Sequence, residues 1–277
     1  MKAAFNILPV KNENEPLHLL VEAGCYGISF IWFTKSPGDI KGLAVYNFVN
    51  SVSPSEIAEE INNVLRSHPV FSEPNASVTI CYDFKESLLV PGEYHKQQTD
   101  KAMLGLVYDS DNNSDIKTDT VRDINIFNAY AVDKKIAAVL SGKFPAAAIY
   151  HSTSLHLEKI RPSGQQLYCI IFHNSLKVFL FKEGALQLVQ QFTCSKPVDV
   201  TYHLLNCCGQ YDMNATDVSL QLSGMIDAHS ILYNELYKYF LNISFQQQDA
   251  AITVHDRIKF YPEHFFSHLT ALVSCVS

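Results

Sequence analysis

Residues 17–48 read LHLLVEAGCYGISFIWFTKSPGDIKGLAVYNF, and residues 167–192 read LYCIIFHNSLKVFLFKEGALQLVQQF. Each stretch divides into three short strands joined by turns, and each is followed by a helix. In the first, Leu17, Leu19 and Val21 alternate with His18 and Glu22, the two-residue period of a half-buried strand. After a break at Gly24, Ile28 to Phe33 is apolar on both faces, which suits a strand covered on two sides. Ser36-Pro37-Gly38-Asp39 predicts a turn, because proline presets φ and glycine supplies a positive φ. Leu43 to Phe48 is the third strand. In the second copy the strands are Leu167–Phe172, Leu176–Phe181 and Leu186–Phe192, with turns at His173-Asn174-Ser175 and Lys182-Glu183-Gly184. The repetition predicts a duplicated α/β architecture in which the two stretches superpose strand for strand. Two unrelated hairpin-rich stretches are the alternative.

At 277 residues the chain is long enough for two domains, each burying its own core. Apolar residues make up 47% and charged residues 18%, which excludes a disordered chain. A net charge of −7 argues against a nucleic-acid backbone or an anionic membrane as partner. Met1 to Val10 lacks the apolar stretch of a signal peptide, and no apolar run is long enough to span a bilayer. A cytoplasmic protein with no membrane insertion is therefore expected. Cys25, Cys81, Cys169, Cys194, Cys207, Cys208 and Cys275 form no Cys-x-x-Cys pair and sit mostly in apolar segments, as reduced core cysteines do.

Met1 to Pro16 has room for one extra strand. Ser53-Pro54-Ser55-Glu56 is a capping box with proline at the first helical position. Ile57, Ile61, Val64 and Leu65 then recur at helical spacing until Pro69 stops the helix. Ser77–Tyr82 predicts a fourth strand, and Lys96–Tyr108 a helix with Met103, Leu104 and Val107 inward. Asp109–Asp119 reads as a solvated acidic loop; it resembles a calcium loop but lacks the glycine at position six and the glutamate at position twelve. Ile124–Val132 is a strand, Asp133 caps a helix through Leu140 that Gly142 ends, and Ala146–Tyr150 closes the first half. Ser152–Ile160 is helical and Arg161-Pro162-Ser163-Gly164 is the linker. The expected domains are thus 1–150, a linker helix and turn at 151–164, and 165–277. A helix from Pro197 carries Val198, Tyr202, Leu205 and Cys208 on one face and stops at Gly209. Val218–Leu222, Ile243–Phe245 and Ala251–Val254 are short strands, with a helix through Leu232, Leu236, Tyr239 and Phe240 among them. Pro262 opens a closing helix with Phe265, Phe266, Leu269 and Leu272 inward.

This order of elements, written twice, resembles the duplicated actin-like (ribonuclease H-like) fold of actin, Hsp70 and sugar kinases, and of pilus- and secretion-associated proteins of that superfamily. Through Leu89-Val90-Pro91, Asn128-Ala129-Tyr130-Ala131-Val132, Phe144-Pro145 and Tyr261-Pro262-Glu263-His264-Phe265-Phe266, the chain resembles an uncharacterised Bacteroidetes family catalogued as a domain of unknown function. The fold expected is two mixed five-stranded sheets flanked by helices.

The resemblance implies a nucleotide between the halves, each offering the turn after its first strand to the phosphates, an aspartate followed by glycine and a serine or threonine. Here the first turn is Glu22-Ala23-Gly24-Cys25-Tyr26-Gly27, with a carboxylate but no serine or threonine. The second is Phe172-His173-Asn174-Ser175, with neither aspartate nor glycine, and the adenosine-side glycine pair is reduced to Ser223-Gly224. Glu22 is read as the only acidic group near either turn. The candidate inter-domain cleft is lined by Glu22, Gly24, Cys25, Tyr26, His173, Asn174, Ser175, Ser223 and Gly224. No catalytic residue, metal or cofactor is expected there. His264 with His268, and His203 with Cys207, have one-turn metal spacing without a third ligand. Gly-x-Ser-x-Gly, the P-loop and the dinucleotide fingerprint are absent. These features point to a non-catalytic actin-like scaffold or protein-interaction module with a degenerate nucleotide site, engaging a protein partner that the sequence does not identify and leaving a homodimer open. The alternative is a divergent nucleotide- or small-ligand-binding ATPase-like protein.

Overall fold

The computed structural model describes residues 3–10, 15–35, 38–48, 53–96, 98–108 and 113–277. The chain forms two compact units, the first comprising Met1–Lys159, Ala251–Ile258 and Leu272–Ser277, the second Ile160–Ala250 and Lys259–Ala271.

The first unit contains β1 (Ala3–Ile7), β2 (His18–Gly24), β3 (Gly27–Lys35), β4 (Gly38–Asn47), α1 (Pro54–Ser67) and β5 (Ser77–Asp83). It continues with β6 (Ser87–Pro91), α2 (Asp100–Tyr108), β7 (Ser114–Val121), β8 (Ile126–Asp133), α3 (Lys134–Lys143), β9 (Ala148–His151) and α4 (Ser152–Lys159). The second unit contains β10 (Gln166–Ile171), β11 (Ser175–Lys182), β12 (Ala185–Thr193), α5 (Pro197–Gln210), β13 (Ser219–Gly224), α6 (Ile231–Leu236) and β14 (Asn242–Phe245). Then β15 (Ile252–Val254) returns to the first unit, and α7 (Ser267–Val276) ends the chain.

The second unit's sheet runs β12-β11-β10-β13-β14, with the hairpin strands antiparallel and β10, β13 and β14 parallel. In the first unit β4-β3-β2-β5-β9 repeats that order and the same pattern of directions. Its sheet has seven strands rather than five, because β1 pairs antiparallel along the outer edge of β4 and β15 adds to β4 in parallel. The extra strand anticipated in the leader is thus β1.

A separate sheet, β6-β8-β7, lies between β5 and α3 in the sequence. The expected acidic loop is partly this sheet: from Ser114 onward the chain is β7, its alternating Ile116, Thr118 and Thr120 pairing with β8. Residues 109–112 of that loop, and Ser36-Pro37 of the predicted turn, lie outside the described residues. α2 starts at Asp100, not Lys96, and it buries Leu104 while Val107 is exposed.

The capping box of α1 is formed: Ser53 N–H donates to Glu56 Oε2 at 2.9 Å, and Glu56 N–H to Ser53 Oγ at 3.3 Å. Asp133 caps α3 through Lys135 N–H at 2.8 Å, and α3 runs through Gly142 to Lys143. α5 likewise continues past Gly209 and is rotated from the face expected. It buries Val200, Thr201, Leu204, Cys207 and Cys208 and exposes Val198 and Tyr202. Apolar residues occur all round this helix, so spacing alone does not choose the buried side.

Phe30, Trp32, Tyr46 and Phe71 form the aromatic centre of the first core, with the Phe30 and Phe71 rings 4.5 Å apart. The second core is aliphatic, built on Leu167, Leu176, Leu180, Leu204, Leu220 and Leu222. Each such side chain contributes roughly 1.5–3 kcal/mol on burial. Phe266, Leu269 and Leu272 are buried as the closing-helix pattern predicts, and Phe265 is partly so. Among the described residues no helix is long and apolar enough to cross a membrane.

Candidate functional site

Of the residues singled out, Glu22, Gly24, Cys25 and Tyr26 lie in the first unit and His173, Asn174, Ser175, Ser223 and Gly224 in the second. Gly24, Cys25 and Tyr26 fall at the C-terminal end of β2, His173, Asn174 and Ser175 just beyond that of β10, and Ser223 and Gly224 at that of β13.

In the first unit Gly24 and Gly27 pair across a two-residue turn, Cys25-Tyr26. Glu22 is not part of this turn. It lies mid-strand, 5% exposed, between Ser29 of β3 and Cys81 of β5. Nor is it the only acidic group nearby, which corrects the sequence reading. The parallel pairing of β2 with β5 sets Asp83 beside Gly24. A Cβ on Gly24 would meet Asp83 O at 2.9 Å, and one on Gly27 would meet Tyr46 O at 2.5 Å. Both glycines therefore serve close backbone packing inside the sheet. Burial, reinforced by Glu86 and Asp83, pushes the Cys25 thiol up to about 12, so it is a neutral thiol and a poor nucleophile.

Around Asp83 lies a buried polar cluster. The Ser152 hydroxyl donates to the Asp83 carboxylate. His151 N–H donates to Asp119 Oδ2 at 2.7 Å, tying β7 to the end of β9. The His151 ring has both nitrogens engaged, Nε2 donating to Phe84 O at 3.0 Å and Nδ1 accepting from Thr153 N–H at 3.2 Å. That assigns a neutral ring with its proton on Nε2, committed to the backbone rather than poised as a base. Burial raises the Asp119 carboxyl above its ordinary value, while bonds from His151 N–H and the Ser154 and Tyr130 hydroxyls pull it down. Asn128 completes the group, donating to Ser154 Oγ at 3.0 Å and accepting from Ser87 Oγ at 2.6 Å. Sequence reasoning passed over this cluster; the run His151-Ser152-Thr153-Ser154, polar yet placed directly after a strand, is the signal that marks it.

In the second unit Phe172 N–H donates to Ser175 O at 2.9 Å, closing the turn that holds His173 and Asn174. Asn174 O accepts from Cys194 N–H at 3.0 Å, and Ser175 is 3% exposed. Ile171 and Gly224 pair across β10 and β13. Gly224 has φ +88, and a Cβ there would stand 2.2 Å from Ile171 O. Ser223 is fully buried, with its Oγ 2.8 Å from Ser267 Oγ and accepting from His268 N–H at 3.2 Å. Ser267 in turn donates to Gln246 Oε1 at 2.8 Å, which also accepts from the Tyr168 hydroxyl.

The paired histidines are taken up by the same interior. His264 Nε2 donates to Ile226 O at 2.7 Å and its ring stacks on Phe245 at 3.9 Å, while His268 Nδ1 lies 3.2 Å from Ser223 Oγ. His203 stacks on Phe192 at 4.2 Å. Among the described residues no group of three or more His, Cys, Asp or Glu side chains could hold a metal ion.

The chain belongs to a family described as a protein of unknown function, DUF3822, which it matches over residues 10–243. Among solved structures it is similar to a Bacteroides thetaiotaomicron protein of unknown function with an actin-like ATPase fold. That match has 20% identity and a TM-score of 0.77, covering 95% of this chain and 97% of the other. It is also similar to a chain of the PilM–PilN type IV pilus biogenesis complex, with 12% identity and a TM-score of 0.63, over 96% of this chain and 100% of that one. These matches show the actin-like fold. No curated protein matches the chain significantly.

Proposed function

We propose that the chain is a cytoplasmic, non-catalytic actin-like scaffold that binds a protein partner, its nucleotide-type positions having been absorbed into the fold. The observation that carries this reading is Ser223-Gly224. The glycine is required by the approach of Ile171 O, and the serine hydroxyl is a fully buried node joined to Ser267 and His268. Groups so committed to internal structure are not free to meet a ligand. The first turn supports the same view, since its glycines pack against Asp83 O and Tyr46 O and its cysteine is neutral. A chain of a pilus biogenesis complex with this fold supports a role in assembly.

One observation favours the alternative, a divergent nucleotide-binding protein. Asp83 places a carboxylate beside the first turn, where an ATPase of this fold would hold metal-bound water, although here it already accepts the Ser152 hydroxyl. Calorimetric titration of the purified chain with Mg²⁺-ATP and Mg²⁺-GTP decides between the two. The scaffold reading expects no saturable heat up to about 1 mM, the upper end of ordinary substrate affinities. Saturable binding of either nucleotide would overturn the degenerate-site reading.

A further inference from the structure

We propose that the outer edge of β12 pairs with β12 of a second copy, antiparallel and two-fold about Gln190, joining two five-stranded sheets into one. The inference concerns association alone and stands whether or not the protein binds nucleotide.

Among the described residues β12 pairs only with β11, so it is an edge strand. Exposed edges recruit other strands unless charge, proline, a bulge or a covering segment blunts them. β12 reads Ala-Leu-Gln-Leu-Val-Gln-Gln-Phe-Thr, without a charge or a proline. Its one irregularity lies near its start, between Leu180 and Phe181 of the partner strand, and leaves Leu188–Thr193 in regular register. The first unit treats the equivalent position differently. There β4 carries Asp39 and Lys41, and β1 pairs antiparallel along its outer edge. The same place in the repeated topology is thus filled in one unit and open in the other.

The ladder shows which groups point outward. Cys194 N–H donates to Asn174 O, so these residues face each other as a hydrogen-bonded pair. Such pairs alternate along an antiparallel ladder. Counting back, Phe192, Gln190 and Leu188 bond to β11, whereas Gln191 and Val189 turn both N–H and C=O away from it. Gln187 belongs to the outward set, and its carbonyl accepts the Tyr211 hydroxyl at 3.2 Å. Gln191 also carries a buried side-chain oxygen, Oε1, with no hydrogen-bond partner.

A two-fold axis at Gln190 uses both outward residues. Val189 exchanges bonds with the partner subunit's Gln191, and Gln191 with the partner subunit's Val189. On the core-facing side, Leu188 meets the partner subunit's Phe192, extending the apolar surface that both residues already share with the second core. The centre places neutral Gln190 opposite its own copy, with no like-charge repulsion. An edge without charge, left open where β1 covers the equivalent edge of β4, and able to exchange bonds at both outward residues with its own copy without setting like charges together, is what argues for a second copy.

Sedimentation velocity of the full chain from about 1 to about 200 µM tests this. A concentration-dependent monomer–dimer equilibrium is expected. Val189→Pro removes an outward N–H without touching the ladder to β11, and should weaken the dimer about tenfold or more, because the bond is lost twice across the axis. Gln190→Lys and Gln190→Glu should each be monomeric, and their equimolar mixture should restore the dimer. A wild type that stays monomeric throughout, or a dimer that none of these substitutions weakens, overturns the proposal. Should Val189→Pro fail to fold by circular dichroism, the Gln190 charge pair decides alone.

Discussion

Replacing Gly224 by alanine separates a structural glycine from a ligand-binding one. At φ +88 the residue sits in the left-handed region, where an L side chain costs roughly 1–2 kcal/mol. The added Cβ would also stand 2.2 Å from Ile171 O, a carbonyl already bonded to Met225 N–H at 2.8 Å. Relieving that overlap means separating β10 from β13 at the end of the sheet, comparable to overpacking a core at about 1–3 kcal/mol. The two effects add to roughly 2–5 kcal/mol, a large share of a typical domain stability of about 5–15 kcal/mol. Urea unfolding followed by far-ultraviolet circular dichroism is the assay, because the single tryptophan, Trp32, lies in the first unit. Gly209→Ala is the control: nothing lies within 4 Å of a Cβ there, within α5, and a gain of up to about 1 kcal/mol is expected. A Gly224→Ala protein within about 0.5 kcal/mol of wild type would refute the packing argument, since that is the range of neutral substitutions.

Ser53→Ala removes the bond from Glu56 N–H to Ser53 Oγ and leaves the one from the backbone N–H of residue 53 to Glu56, and should cost about 0.5–2 kcal/mol in the same assay. Leu272→Ala, at a side chain fully buried in α7, should cost about 2–5 kcal/mol; a smaller loss than Ser53→Ala would show that the closing helix is loosely held. Asp119 is predicted to make stability depend on pH. Its folded carboxyl is raised, with burial the leading cause, so its contribution is present below the ordinary carboxylate value and is lost as pH rises through the raised one. Relative to wild type, Asp119→Asn should therefore gain stability as pH climbs from about 4 to about 7, and a constant difference across that range would contradict the assignment.

What the sequence revealed follows from range. The strand triplets at 17–48 and 167–192, the capping box at Ser53 and the cap at Asp133 are local patterns, and the structure contains them. Asp83 was invisible as a neighbour of Gly24, because only the parallel pairing of β2 with β5 brings the two together. The same holds for Ser223, whose partners come from the final segment of the chain. The partner of β15 was equally hidden, as three residues near the end of the sequence lie against β4 near its beginning. The rotation of α5 failed for a different reason: Val198 and Val200, or Leu204 and Leu205, offer either side of the helix equally apolar residues. β7 was obscured by Asp115 and Asp119 and by the polar residues that precede it, though its β-branched residues alternate as a strand requires.

The central claim is that this actin-like body does no nucleotide chemistry, and Mg²⁺-dependent ATP hydrolysis by the purified chain tests it most directly. Wild type, Glu22→Ala and Asp83→Asn should be measured side by side, the last because the pairing of β2 with β5 sets Asp83 beside Gly24 at the first turn. The account predicts that all three release phosphate at the same background rate. Turnover by wild type clearly above background, abolished by either substitution while the fold is retained, would contradict it.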